Sequence, residues 1–199
     1  MMLTEQTPVP EAALPLAPFK AHLRLGTGFG EDSLQDEVLI SFLRASIAAI
    51  EARTGKVLMS RQFDLNMHQW SDPSAQALPL VPVTAIATVV LIDAAGGEEI
   101  ISPNRYQLIQ DSQHPQLCPA GSLLPTVVSG GALRITLTAG MAADWGDLPA
   151  DLAQAVLMLA AHYYHYRDDT GLSGGCMSFG VTSLIERYRV VRLGLGRLQ

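Results

Sequence analysis

The run ALRITLTAGMAADWGDLPADLAQAVLMLAAHYYHY, residues 132–166, changes its period once, and that change decides the fold class. At its start Leu133, Ile135 and Leu137 alternate with Arg134, Thr136 and Thr138, which is the two-residue repeat of a half-buried strand ended by Gly140. Beyond Pro149, a residue suited to the first turn of a helix, Leu152, Val156, Leu159, Tyr163 and Tyr166 recur at spacings of three and four. Asp144, Asp147 and Asp151 sit at or near the positive end of that helix, where carboxylates are favoured.

Upstream the same two periods occur in the opposite order. The spacing of Leu39, Phe42, Leu43, Ile47 and Ile50 predicts a helix over 33–53, stopped by Gly55. Phe63, Leu65 and Met67 then alternate with polar residues, 84–93 is rich in β-branched side chains, and Ala94-Ala95-Gly96-Gly97 supplies a turn. Residues 98–101 and 106–109 read as short strands, and Pro115, Pro119, Gly121 and Pro125 mark a long loop. Two helices bracketing a β-rich block predict an α+β chain: a small helical bundle core with an inserted β-rich subdomain. The expected organisation is an extended proline-rich N-terminal arm over 1–18, core halves at 19–56 and 141–170, and the β insertion at 57–140. A short helix near 19–25 opens the core, and a Gly-rich linker with a C-terminal arm fills 171–199.

Composition narrows the function. Charged residues are 16% of the chain against about 25% in an average protein, so part of the surface is expected to be covered by partners. The net charge of −6 argues against a sequence-independent duplex-DNA binder. All 19 acids and nine of the 13 Lys and Arg lie at or before Glu186. Arg187, Arg189, Arg192 and Arg197 come after it without an acid, giving an acidic body and a basic tail. Cys118 and Cys176 match neither a metal spacing nor a disulfide framework. No signal peptide or membrane span is read, so the expectation is assembly in the cytoplasm.

No catalytic constellation emerges, and neither a cofactor nor a metal is expected. His162, His165 and Asp168 share a helical face, but Tyr163, Tyr164 and Tyr166 interleave with them as in an aromatic packing seam, which leaves a His-based metal enzyme as the weaker alternative. Gly26, Gly28 and Gly30 lack the third fingerprint glycine, which Glu31 replaces, and no Gly-Lys-Ser/Thr is present. In the C-terminal segment Val181, Leu184, Ile185, Tyr188 and Val191 recur at three and four, with Arg187, Arg189 and Arg192 flanking them. That apolar face meets either a groove on a partner or the chain's own body.

The stretch Met177-Ser178-Phe179-Gly180-Val181, then Leu184-Ile185 and Tyr188-Arg189-Val190-Val191-Arg192, resembles the end of the head–tail connector (adaptor) family of long-tailed phages and of the phage-derived gene transfer agents of alphaproteobacteria. Lys20-Ala21-His22-Leu23-Arg24, Glu51-Ala52-Arg53-Thr54-Gly55, Leu80-Val81-Pro82-Val83-Thr84-Ala85-Ile86 and Leu148-Pro149 fit the same family in order and spacing, over about 20–192. The resemblance implies a non-enzymatic ring subunit, twelve-fold like the portal it docks on, that continues the DNA channel and receives a stopper or tail-completion protein. It implies a portal-directed C-terminal arm carrying Val181, Leu184, Ile185, Arg187, Tyr188, Arg189, Val191 and Arg192. DNA would pass without specific binding, so Glu31, Asp32 and Asp36 are candidates for an acidic channel rim. Another neck ring protein, such as a stopper, is the nearest alternative. Val90 and Leu91 are expected at exposed subunit contacts.

Overall fold

The computed structural model describes residues 1–25, 33–167 and 177–189. The chain gathers into two units, Met1–Leu16 with Lys56–Leu148 and Ala17–Gly55 with Pro149–Gln199.

The first unit is built on strands β1 (Met2–Glu5), β2 (Arg61–Met67), β3 (Gln76–Ala77), β4 (Val83–Ile92), β5 (Glu98–Ile100), β6 (Tyr106–Ile109), β7 (Gln116–Pro119) and β8 (Ala132–Ala139). Five of them form an antiparallel sheet in the order β1-β2-β8-β4-β5, and three form a smaller one, β3-β7-β6. The alternation that opens residues 132–166 is the spine of the larger sheet. Leu133, Ile135, Leu137 and Ala139 are fully buried, and Leu65, Ile135 and Val89 stand in one register across β2, β8 and β4. Leu117 and Tyr106 of the smaller sheet join the same apolar core, with Trp70, whose indole N–H donates to the Pro125 carbonyl at 2.7 Å. Gly140 ends β8 with φ at 147°, and a Cβ there would stand 2.3 Å from Ser60 Cα, so the close approach of backbones demands glycine.

Three expectations need correction here. The stretch 115–125 is not all loop, because β7 runs through it and pairs Leu117 with Leu108. The N-terminal stretch 1–18 is not an extended arm throughout: Met2–Glu5 is a strand paired along β2, Glu11–Ala13 is a 3-10 turn, α1 starts at Leu16, and Val9 and Leu14 are buried. Val90 is buried and Leu91 half-buried, so neither is the exposed contact residue expected. Register shifts at Val83/Ala85 and Ile86/Thr88 break the simple alternation of β4, and Val90 lies between Arg134 and Ile100 across the neighbouring strands.

The second unit is helical: α1 (Leu16–His22, entering the unit at Ala17), α2 (Ser33–Thr54), α3 (Ala150–His165) and α4 (Phe179–Ile185), the last continued by one 3-10 turn, Glu186–Tyr188. α1 begins earlier than the sequence suggests and buries Phe19 completely. Leu39, Leu43, Ile47 and Ile50 of α2 and Leu152, Ala155, Val156 and Leu159 of α3 form the buried stripes of two helices packed together. Each large aliphatic side chain so buried contributes about 2 kcal/mol. Tyr166 departs from its expected stripe: it stands at the end of α3, outside helical backbone geometry, and is half exposed with its ring 4.7 Å from that of His162.

Candidate functional site

The segment 177–189 holds the richest pattern in the sequence, and the structure gives it a home. Val181 and Ile185, one turn apart on α4, are fully buried where the helix packs along α3, and Leu184 is half-buried. Gly180 faces the end of the Met158 side chain, and a Cβ there would lie 2.8 Å from Met158 Cε, so the missing side chain lets α4 sit close to α3. Of the two destinations open to this apolar face, α4 takes the chain's own helical bundle. Phe179, at its first turn, is 88% exposed and points the other way.

Asp151, in the first turn of α3, fastens the end of the segment. Its Oδ1 accepts the Tyr188 hydroxyl at 2.8 Å, and its Oδ2 lies 2.9 Å from Arg187 Nε. The Arg187 guanidinium also donates to the Tyr188 oxygen at 2.6 Å and stands over the Tyr188 ring at 4.8 Å. Burial pushes the Tyr188 phenol above its ordinary value. The bond to Tyr188 and the charge of Asp151 hold Arg187 firmly protonated. Arg189 makes a two-pronged contact with Glu186, at 3.0 and 3.1 Å, on the exposed side. Arg187 and Arg189 are therefore surface guanidiniums already paired within the chain. Val191 and Arg192 lie outside the described residues, as does the Gly-rich stretch 171–175.

Of the three proposed rim acids, Glu31 and Asp32 lie outside the described residues. Asp36 is half-buried and pairs with Lys20 at 2.5 Å, which offsets its charge locally.

The histidines of α3 are engaged with aromatic rings. His162 lies 4.7 Å from the Tyr166 ring, Tyr164 meets Phe42 edge-on at 6.2 Å, and the Arg167 guanidinium caps Tyr164 at 5.0 Å. Among the described residues no three His, Cys, Asp or Glu side chains converge as metal ligands, and Asp168 is outside them.

Sequence reasoning misses two residues of this surface. Asp151 reads only as a helix-end acid, because nothing local connects it to a tyrosine 37 positions away. Phe179 is an aromatic off the three-and-four stripe, and that isolation is the signal that could have found it.

No family model matches the chain, nor does any curated protein. Solved structures do. A chain in the neck of an empty GTA particle, computed with C6 symmetry, is 48% identical with a TM-score of 0.88, over 99% of this chain and 100% of that one. A chain in the virion of the native gene transfer agent (GTA) particle is 47% identical with a TM-score of 0.85, over the same shares. A third, in the neck of the native GTA particle computed with C12 symmetry, is 44% identical with a TM-score of 0.84, again over 99% and 100%. No described helix is long and apolar enough to cross a membrane.

Proposed function

The chain belongs to the family of gene transfer agent neck proteins, with a structural role in the particle, and from that premise we propose that it is the head-to-tail adaptor, the ring that docks on the portal. The observation that carries this reading is the division of the C-terminal segment. Its apolar half, α4, is spent on the chain's own bundle, and the Asp151 clamp at Tyr188 fixes where it ends. The remaining stretch, 190–199, adds Arg192 and Arg197 and no acid. A body that anchors an acid-free basic tail suits a subunit whose tail reaches an acidic partner surface, with arginine making bidentate contacts to carboxylates there. The portal is that partner in this reading, and Val191 and Arg192 belong to the contacting stretch. Arg187 and Arg189 can contribute by exchanging internal acids for external ones.

The ring is assembled in the cytoplasm and the opposite face receives the stopper or tail-completion protein. DNA passes through the bore without specific contacts, with Glu31 and Asp32 as rim candidates. Asp36 is the weakest of the three because Lys20 already matches its charge.

Removing 190–199 tests the reading and keeps the clamp. The truncated protein should fold, and particles should accumulate as DNA-filled heads without tails. Normal joining of truncated protein to portal-bearing heads would refute the tail as the portal contact, and failure of the full-length chain to bind portals would refute the adaptor assignment. A chain that binds tails but never portals would favour the stopper.

A further inference from the structure

The two outer strands of the five-stranded sheet, β1 and β5, each leave one edge without a backbone partner among the described residues. Neither strand contains a proline or a lysine, the residues that usually blunt such an edge. Both edges instead present large apolar side chains: Met2 is 62% exposed and Ile100 is 70% exposed. These two residues are linked by register. Met2 pairs with Asn66, Asn66 with Arg134, Arg134 with Val90, and Val90 with Ile100, so they are the two ends of a single row across one face of the sheet. Two of the acids on these strands are matched inside the chain, Glu5 by Arg61 at 2.9 Å and Glu98 by Arg134 at 2.9 Å, while Glu99 of β5 stays exposed.

Strand direction adds a symmetry argument. Four successive antiparallel pairings leave β1 and β5 pointing the same way. A cyclic ring is closed by a head-to-tail contact between unlike patches, and it has no twofold axis to bring two copies of one edge together. Rotation to the next copy preserves strand direction, so β5 can lie beside β1 as a parallel pair. Like-to-like pairing of either edge is ruled out by that symmetry.

We infer that in the ring the sheet is continued from copy to copy, β5 of one subunit alongside β1 of the next, with Ile100 meeting the neighbour's Met2. The inference rests on the ring reading and adds to it the surface that closes the ring.

Cysteines at the two ends of the row test it, because strands paired about 5 Å apart fit disulfide geometry. Full-length Met2→Cys/Ile100→Cys protein, assembled in particles and mildly oxidised, should run without reductant as a ladder of covalent multimers rising to the closed ring. Each single variant, which keeps Cys118 and Cys176, should give no ladder. Particles whose necks hold intact rings of the double variant without a ladder overturn the sheet continuation and leave the adaptor reading standing. Necks in which this chain forms no ring overturn both. As a second measure, Ile100→Asp should leave the circular dichroism of the isolated chain unchanged, since the side chain is exposed, and should lower ring yield about tenfold or more. Unchanged ring yield with Ile100→Asp overturns the inference.

Discussion

β8 and β1 belong to one sheet and are separated only by β2, yet they are held for different reasons. Every second residue of β8 is buried, from Leu133 to Ala139, whereas all four residues of β1 are exposed. β8 is a strand because its side chains have a core to fill. β1 is a strand because the edge of β2 offers backbone partners, and its side chains contribute little to the fold of the single chain. The difference shows what a hydrophobic pattern records, namely burial within the chain. In a subunit made for a ring, an edge without such a pattern is where contact with other copies can be placed without cost to folding.

The largest expected effect tests the β8 side of that contrast. Ile135→Ala removes a fully buried side chain flanked by Leu65 and Val89, and should cost about 2–5 kcal/mol in chemical denaturation. Leu3→Ala on β1, opposite Leu65, should change stability of the isolated chain by less than about 0.5 kcal/mol. If the two substitutions cost the same, β1 is part of the core and the contrast fails.

The same contrast explains how much is legible in the sequence. Long helices α2 and α3, the strands β2, β4 and β8, and the β5 hairpin stand out because each buries a face or is bounded by turn residues. β1 is invisible as a strand because no face of it is buried. β7 is hidden by Pro115 and Pro119, and Leu117 is its one fully buried side chain. The candidate surface is legible as an amphipathic segment, Val181 to Tyr188, but its destination is not. Period three-and-four states that one face is covered and does not say by what. Only the fold brings Asp151 to Tyr188 and Arg187.

That clamp supplies the middle effect. Asp151→Ala removes the acceptor for Tyr188 and the partner of Arg187, a largely exposed guanidinium, so the loss of stability should be about 1 kcal/mol. Hydrogen exchange should quicken over 186–189 and stay slow at Val181 and Ile185, which burial holds independently. Equal loosening of α4 and the turn after it would show that Asp151 anchors the whole segment and not its end.

The smallest effect concerns the turn between β6 and β7, an exposed region ordered by a cluster of side-chain contacts to its own backbone. Asp111 Oδ1 accepts the backbone N–H groups of Gln113 and His114, each at 2.6 Å, and Lys56 Nζ donates to the Ser112 carbonyl and to Gln113 Oε1. Those two N–H groups hold the Asp111 carboxyl below its ordinary 3.8, helped by His114 and Lys56. A carboxylate depressed on folding stabilises the protein fully above the unfolded value, and that contribution is lost as pH falls through the lower folded value. Asp72, lowered by the hydroxyl and N–H of Ser74, acts with the same sign. Lys56 acts in the other part of the range: burial lowers its value from 10.5, so the penalty on its charged form is relieved as pH rises toward that value. Asp111→Asn keeps an acceptor for the turn but no longer titrates. It should leave the melting temperature at neutral pH close to that of the natural chain and flatten its fall below about pH 4, the ordinary carboxylate range, without removing the part that Asp72 contributes. Parallel acid limbs for the two proteins would mean that the Asp111 turn opens without consequence for the sheet, and that backbone pairing and the burial of Leu117 and Tyr106 suffice to hold β6 and β7.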